Sequence, residues 1–189
     1  GTIKMNIKKI ITIILIMVSV LTGCGKSDSD KVKDNSQVTQ ENHGRVEEET
    51  VETLVAKFNT EVVDNSSLNP ASTDYLTESN NEYWYGLIEG IYLVAVPKKY
   101  TGDKAADIVN YTLLYVNKTG EYESDVASYV KHLIKANNNQ ITDSEIDTLL
   151  KEAKTKPNSG EAANNGKGIS VGYTENEEKY QYQVLRLYK

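Results

Sequence analysis

Few residues in this chain could perform covalent chemistry. There is one cysteine, Cys24, and two histidines, His43 and His132, beside 27 aspartates and glutamates. A cysteine or serine nucleophile needs an adjacent base, most often histidine. His132 is the only histidine after residue 43. At helical spacing it falls with Asp125, Ser128 and Lys135, opposite an apolar stripe, so an exposed histidine is predicted. Zinc sites are built from cysteine, histidine and carboxylates. A metal centre in the body of this chain would rest on carboxylates alone, and none is assigned. No Walker loop occurs. Gly166, Gly168 and Gly172 do not fit G-x-G-x-x-G and stand before a predicted strand, so no cofactor is expected. Carboxylates remain. A glycosidase-type pair meets in space and leaves no spacing signature, which keeps a small carboxylate hydrolase as an alternative without naming a catalytic residue. Glu89, between two apolar stretches, is the acid to inspect first; a solvent-facing position is its expected role.

The lone cysteine is explained by its neighbours. Lys4, Lys8 and Lys9 precede an almost wholly apolar run, IITIILIMVSVL, from Ile10 to Leu21. A dozen helical residues reach roughly 18 Å, against about 30 Å of hydrocarbon in a bilayer. The run is too short to span, and a basic start before an apolar stretch reads as a secretion signal. Leu21-Thr22-Gly23-Cys24 resembles the lipobox of bacterial lipoproteins: an aliphatic residue, two small residues, then cysteine. The resemblance covers about the first 25 residues. It implies cleavage before Cys24 by signal peptidase II, a thioether-linked diacylglyceryl group on its sulfur, and often acylation of the new amino end. Each buried acyl methylene contributes about 0.8 kcal/mol, and two chains suffice for stable anchoring. The expected location is the extracytoplasmic face of the cell membrane, held there through Cys24.

Removing residues 1–23 takes away three lysines and no acids, which leaves 18 basic against 27 acidic side chains, a net charge of −9. Such a surface repels nucleic-acid phosphates and anionic lipid, so no nucleic-acid partner is expected and the lipid alone must anchor the chain. Residues 24–45 contain no aromatic side chain and scattered charge. They cannot bury enough apolar surface to offset ordering entropy, and read as a flexible polar tether that includes His43. Residues 46–189 have the size of one domain.

Within that domain, Val51, Leu54, Val55, Phe58 and Val62 share one helical stripe, with Glu47 to Glu49 expected in its first turn. Glu82 to Pro97, EYWYGLIEGIYLVAVP, predicts a long bent strand or a pair of strands. Ile108 to Asn117 predicts another, with Val109, Tyr111, Leu113 and Tyr115 on one face. A second helix follows from Ser124, and Thr142-Asp143-Ser144-Glu145 carries a capping-box signature for a third. The end of the chain reads as a β-hairpin around TENEE. The predicted architecture is single-domain α+β: a mostly antiparallel sheet with about three helices on one face, in the order α-β-β-α-α-β-β. Two short helices leading into a hairpin also resemble, in element order alone, the repeat unit of β-lactamase-inhibitor-like domains.

Aromatic side chains supply the remaining lead. Thirteen tyrosines accompany one Phe and one Trp, and tyrosine favours recognition surfaces. In an extended Tyr83-Trp84-Tyr85, either Trp84 or the two tyrosines must point away from the core. Tyr180 and Tyr182 share a face of the last strand. These five residues form the candidate interaction surface for a peptide, a glycan or a partner protein. The expected role is a non-enzymatic ligand- or protein-binding module at the bacterial cell envelope; a small envelope hydrolase and an accessory subunit of an envelope complex are the alternatives. Replacing Cys24 with Ala is expected to abolish metabolic palmitate labelling and leave the chain unprocessed or released from the membrane. Unchanged labelling in that variant would refute lipid attachment at this sulfur.

Overall fold

Helix α1 (Val51–Asn65) begins where Thr50 caps it, its hydroxyl accepting the Thr53 amide at 3.2 Å. An N-cap of this kind satisfies one of the amide donors orphaned at a helix start. Val51, Leu54, Val55, Phe58 and Val62 form its buried side, as their spacing predicts. The acids expected in the first turn stand before it instead, and Glu49 is buried. These features come from a computed structural model that describes residues 45–72, 76–78, 80–118, 122–159, 163–164 and 166–188. The expected leader, Cys24 and the tether up to residue 44 lie outside the described residues.

Among the described residues the sheet has seven strands: β1 (Leu76–Glu78), β2 (Glu82–Ile88), β3 (Ile91–Pro97), β4 (Val109–Asn117), β5 (Ala163–Asn164), β6 (Ile169–Glu175) and β7 (Lys179–Arg186). Their spatial order is β1-β2-β3-β4-β7-β6-β5, and every neighbouring pair is antiparallel. Five strands are full length; β1 and β5 are short edge strands of three and two residues. The aromatic stretch from Glu82 to Pro97 is thus a pair of strands. Gly90 closes their hairpin at φ 82°, a left-handed backbone that glycine adopts at no steric cost. Glu89 sits exposed in that turn.

After β4 the chain makes α2 (Glu123–Asn137) and α3 (Asp143–Thr155), then returns to place β7 beside β4. The capping box of α3 is complete. Thr142 accepts from the Glu145 amide, and Glu145 accepts from the Thr142 amide at 2.7 Å. Glu145 is also paired with Lys167 at 2.6 Å, and the hydrogen bonds from Lys167 and Thr142 hold its pKa down to about 2. The fold is single-domain α+β with the three helices on one side of the sheet. Tyr83, Tyr85, Leu93, Leu114, Tyr182 and Val184 point from the strands into the same core as Phe58, Tyr129 and Leu133 from the helices.

Two polar devices tie the long connections down. Asp107, in the β3–β4 connection, is buried, which opposes its ionisation. Hydrogen bonds from the Thr101 hydroxyl (2.5 Å), the Thr101 amide (2.9 Å) and the Tyr83 hydroxyl (2.6 Å) outweigh that cost and hold its carboxyl below the usual range. The second device is at the domain's start. Val46 bridges Tyr188 in parallel, its amide donating to the Leu187 carbonyl at 2.8 Å, and Leu187 donates in turn to the Gly168 carbonyl. A Cβ on Gly168 would lie 2.8 Å from the Arg45 carbonyl carbon, and its φ is 79°. Gly168→Ala is expected to destabilise the fold by about 1–3 kcal/mol from backbone strain alone, with the displaced 45–46 segment adding to it. Urea unfolding of the two chains measures the difference.

Candidate functional site

Strand alternation sends every second side chain of this sheet away from the helices. The register brings those outward residues into rows. Trp84 of β2 lies opposite Val94 of β3, Val94 opposite Leu113 of β4, Leu113 opposite Gln183 of β7, and Gln183 opposite Gly172 of β6. The next row runs Gly86, Tyr92, Tyr115, Gln181 and Thr174. On its other side Val96, Tyr111, Leu185 and Ser170 follow one another. An antiparallel sheet with one solvated face ordinarily places polar and charged residues there. These three rows contain no lysine, arginine, aspartate or glutamate from β3, β4, β6 or β7.

The aromatic rings of this face are drawn together. Strands β2 and β4 are two strand spacings apart, about 9.6 Å. The ring centroids of Trp84 and Tyr115 are nevertheless only 5.3 Å apart. Both rings therefore lean inward over β3, where Tyr92 meets each of them at 5.8 and 6.2 Å. Val94, lying in register between Trp84 and Leu113, is wholly buried although it belongs to no part of the helix-side core. The Trp84 indole is oriented by donating Nε1–H to Glu82 at 3.0 Å. Lys179 places its ammonium 5.0 Å from the Tyr115 ring centre at the rim, a cation–π distance. Burial raises the Tyr115 and Tyr111 hydroxyl pKa values, helped by Glu178 and Tyr92 at the first and Glu82 at the second, so both remain hydrogen-bond donors at neutral pH.

The five aromatic residues singled out from the sequence are split by the fold. Trp84 is the one that faces away from the core. Tyr83 and Tyr85 are 0% and 2% exposed beneath the helices, which removes them from any surface. Tyr180 and Tyr182 lie on the helix side, where they meet Tyr173 at 6.0 and 5.0 Å, and Tyr182 lies near Lys154 of α3. Tyr182 is buried and Tyr180 half-buried. Tyr92 and Tyr115, which complete the outward platform with Trp84, were not singled out. Tyr111, Leu113 and Tyr115 do share the outward face as their alternation predicts. A register shift at Val96/Pro97 turns Val109 into the core instead.

A concavity of about 840 Å³ lies elsewhere, along α1 and the end of α2, with Glu47, Glu49, Lys57, Glu61, Lys135 and Arg186 in its walls. Its charges are engaged with one another. Glu49 pairs with Lys57 at 2.6 Å and with Arg186 at 3.2 Å, and Arg186 also donates to Asn137 Oδ1 at 2.9 Å and to the Glu47 carbonyl at 3.0 Å. Buried charges persist only when matched in this way. Among the described residues no group of His, Cys, Asp and Glu is placed to hold a metal ion, and no helix is long and apolar enough to cross a membrane. No protein-family model, curated protein or solved structure matches the chain.

His132 departs from its expected exposure. It is 4% exposed, because the side of α2 opposite the sheet-facing stripe is covered by α1. Its Nε2 lies 3.3 Å from the Ser128 hydroxyl, and its Nδ1 lies 3.9 Å from Glu61. Burial lowers its pKa, Lys131 and Lys135 add to the shift, and Glu61 and Asp143 oppose it. The unfolded chain therefore takes up this proton before the folded one does. Stability is complete above the unfolded value of about 6.5 and declines as pH falls from there toward the lowered folded pKa. Urea unfolding between about pH 7.5 and about pH 5 is expected to show that loss. His132→Gln, which carries no charge in either state, is expected to flatten the slope across this window.

Proposed function

We propose that this protein is an extracytoplasmic lipoprotein, held at the cell membrane by lipid on Cys24, whose folded domain is a non-enzymatic binding module. Its binding surface is the helix-free face of the sheet. The observation that carries this reading is the convergence of Trp84, Tyr92 and Tyr115 over β3, within three outward rows that hold no charged residue from β3, β4, β6 or β7, with Lys179 at their rim. Clustered aromatic side chains with neutral amides beside them are the composition of recognition surfaces. A solvated sheet face with no binding duty is better served by charge, which keeps it soluble.

A tethered address suits such a module. Lipid on Cys24 supplies retention, so the domain's own surface is free to engage something else in the envelope. The flexible linker expected over residues 24–45 would span about 25 Å root-mean-square, enough to let either sheet face turn outward. The acidic net charge of the mature chain adds no attraction to anionic lipid.

The test uses the chain carrying Cys24→Ala and lacking residues 1–23, which removes both the leader's and the lipid's own contribution to sedimentation. This chain is expected to cosediment with purified bacterial cell envelopes. Adding Trp84→Ala and Tyr115→Ala is expected to reduce the bound fraction about tenfold, the loss of roughly 1.4 kcal/mol, at unchanged far-ultraviolet circular dichroism. Equal sedimentation of the two chains would overturn the assignment of the sheet face.

A further inference from the structure

The open face also carries information about what it takes, an inference that rests on the binding role proposed above. Its apolar part covers Trp84, Tyr92, Val94, Tyr111, Leu113 and Tyr115, on three adjacent strands and three side-chain rows. With strands about 4.8 Å apart and outward residues about 6.7 Å apart along each strand, this area is on the order of 300 Å². A stable protein–protein interface needs about 800 Å² from each partner. The patch is therefore small for a second copy of this chain or for a folded partner.

Its polarity is graded across the sheet. Aromatic rings occupy the β2–β4 side, and Gln181, Gln183 and Thr174 occupy the β7–β6 side, with Gly172 of β6 leaving a step beside Gln183. Adding a Cβ at Gly172 would meet only the Gln183 Cβ at 3.9 Å, so the glycine opens space on the outward face rather than accommodating a crowded backbone. A ligand lying along a row would thus meet ring faces at one end and amide and hydroxyl groups at the other. No charged group stands in the middle to select an ion, and the nearest cation, Lys179, is already turned to the Tyr115 ring.

We infer that the face binds a neutral polysaccharide. A pyranose ring has apolar C–H faces that stack on aromatic rings, whose π-surfaces are electron-rich. Its rim of hydroxyls both donates and accepts, which matches carboxamides and hydroxyls without requiring a counter-charge. An extended peptide fits less well. Its backbone amides and carbonyls would lie on apolar rings with no partners, at a cost of about 1–3 kcal/mol for each group left unsatisfied, and peptides instead add to sheets at their edges. An anionic polymer would find Lys179 at the rim already turned to the Tyr115 ring, and a negatively charged protein beneath it.

Trp84 is the only tryptophan in the chain, so indole fluorescence reports this face alone. The full chain is to be titrated with chitohexaose, cellohexaose and maltohexaose. At least one is expected to shift Trp84 emission to the blue in a saturable manner. By calorimetry with that same sugar, Tyr92→Ala is expected to weaken binding about tenfold. Gln183→Ala, outside the ring cluster and chosen because it leaves the packing intact, is expected to weaken it several-fold at an unchanged melting temperature. Tyr173→Ala, in the helix-side tyrosine cluster, is expected to leave affinity unaltered. Silence toward all three sugars overturns the glycan assignment. If Trp84 emission then responds to neutral lipid vesicles or to an envelope protein, the binding role survives with a different ligand. If the envelope sedimentation described above also fails to depend on Trp84 and Tyr115, both fall together.

Discussion

Neighbouring side chains on a strand cannot face the same way, and in this domain all three helices lie on one side of the sheet. Everything else about the molecule follows from that pairing of constraints. The inward set must be apolar enough to make a core with α1, α2 and α3, and Tyr83, Tyr85, Leu93, Leu114 and Val184 meet that demand. The outward set is released from it. Here Tyr92, Val94 and Val96 of β3 and Tyr111, Leu113 and Tyr115 of β4 are aromatic or aliphatic all the same, and the rings of Trp84, Tyr92 and Tyr115 have folded over one another rather than stand in water. A surface built that way sacrifices solubility for contact area, which is the physical basis for reading it as a recognition face.

The sheet is also fastened at its ends. Arg186 closes β7 and reaches the carbonyl of Glu47, the carboxylate of Glu49 and the side chain of Asn137. It thereby joins the first residues of the domain, the end of α2 and the final strand in one desolvated knot. Such a knot is weak as a source of net stability, since removing four polar groups from water costs nearly what their attraction returns. Its use is in register. With Val46 against Leu187 and Gly168 closed over Arg45, the entry of the chain is fixed beside its exit.

The helices were legible because their information is local. The stripe Val51, Leu54, Val55, Phe58, Val62 and the reciprocal cap between Thr142 and Glu145 involve residues within a few turns of each other. His132 and Glu49 were not legible, for the converse reason. One is buried by a helix about 70 residues earlier, and the other by an arginine 137 positions later. The β-bulge that turns Val109 inward depends on how β3 and β4 meet, so their separate alternation patterns could not reveal it. For the aromatic triplet, periodicity stated that Trp84 opposes Tyr83 and Tyr85, but left the sign open.

By itself the sequence determined the three helices and the full-length strands but not the short edge strands β1 and β5, together with the α+β class, the acidic balance and the lipobox-like setting of Cys24, because helical periodicity, strand alternation and charge are properties of neighbouring residues. Tertiary structure alone decided which face of each strand meets the helices. It alone brought Trp84, Tyr92 and Tyr115 from three strands into one platform, and sent Tyr180 and Tyr182 to the other side. The reason is that strand order and ring packing are set by burial across the whole sheet, a quantity no short stretch of chain contains.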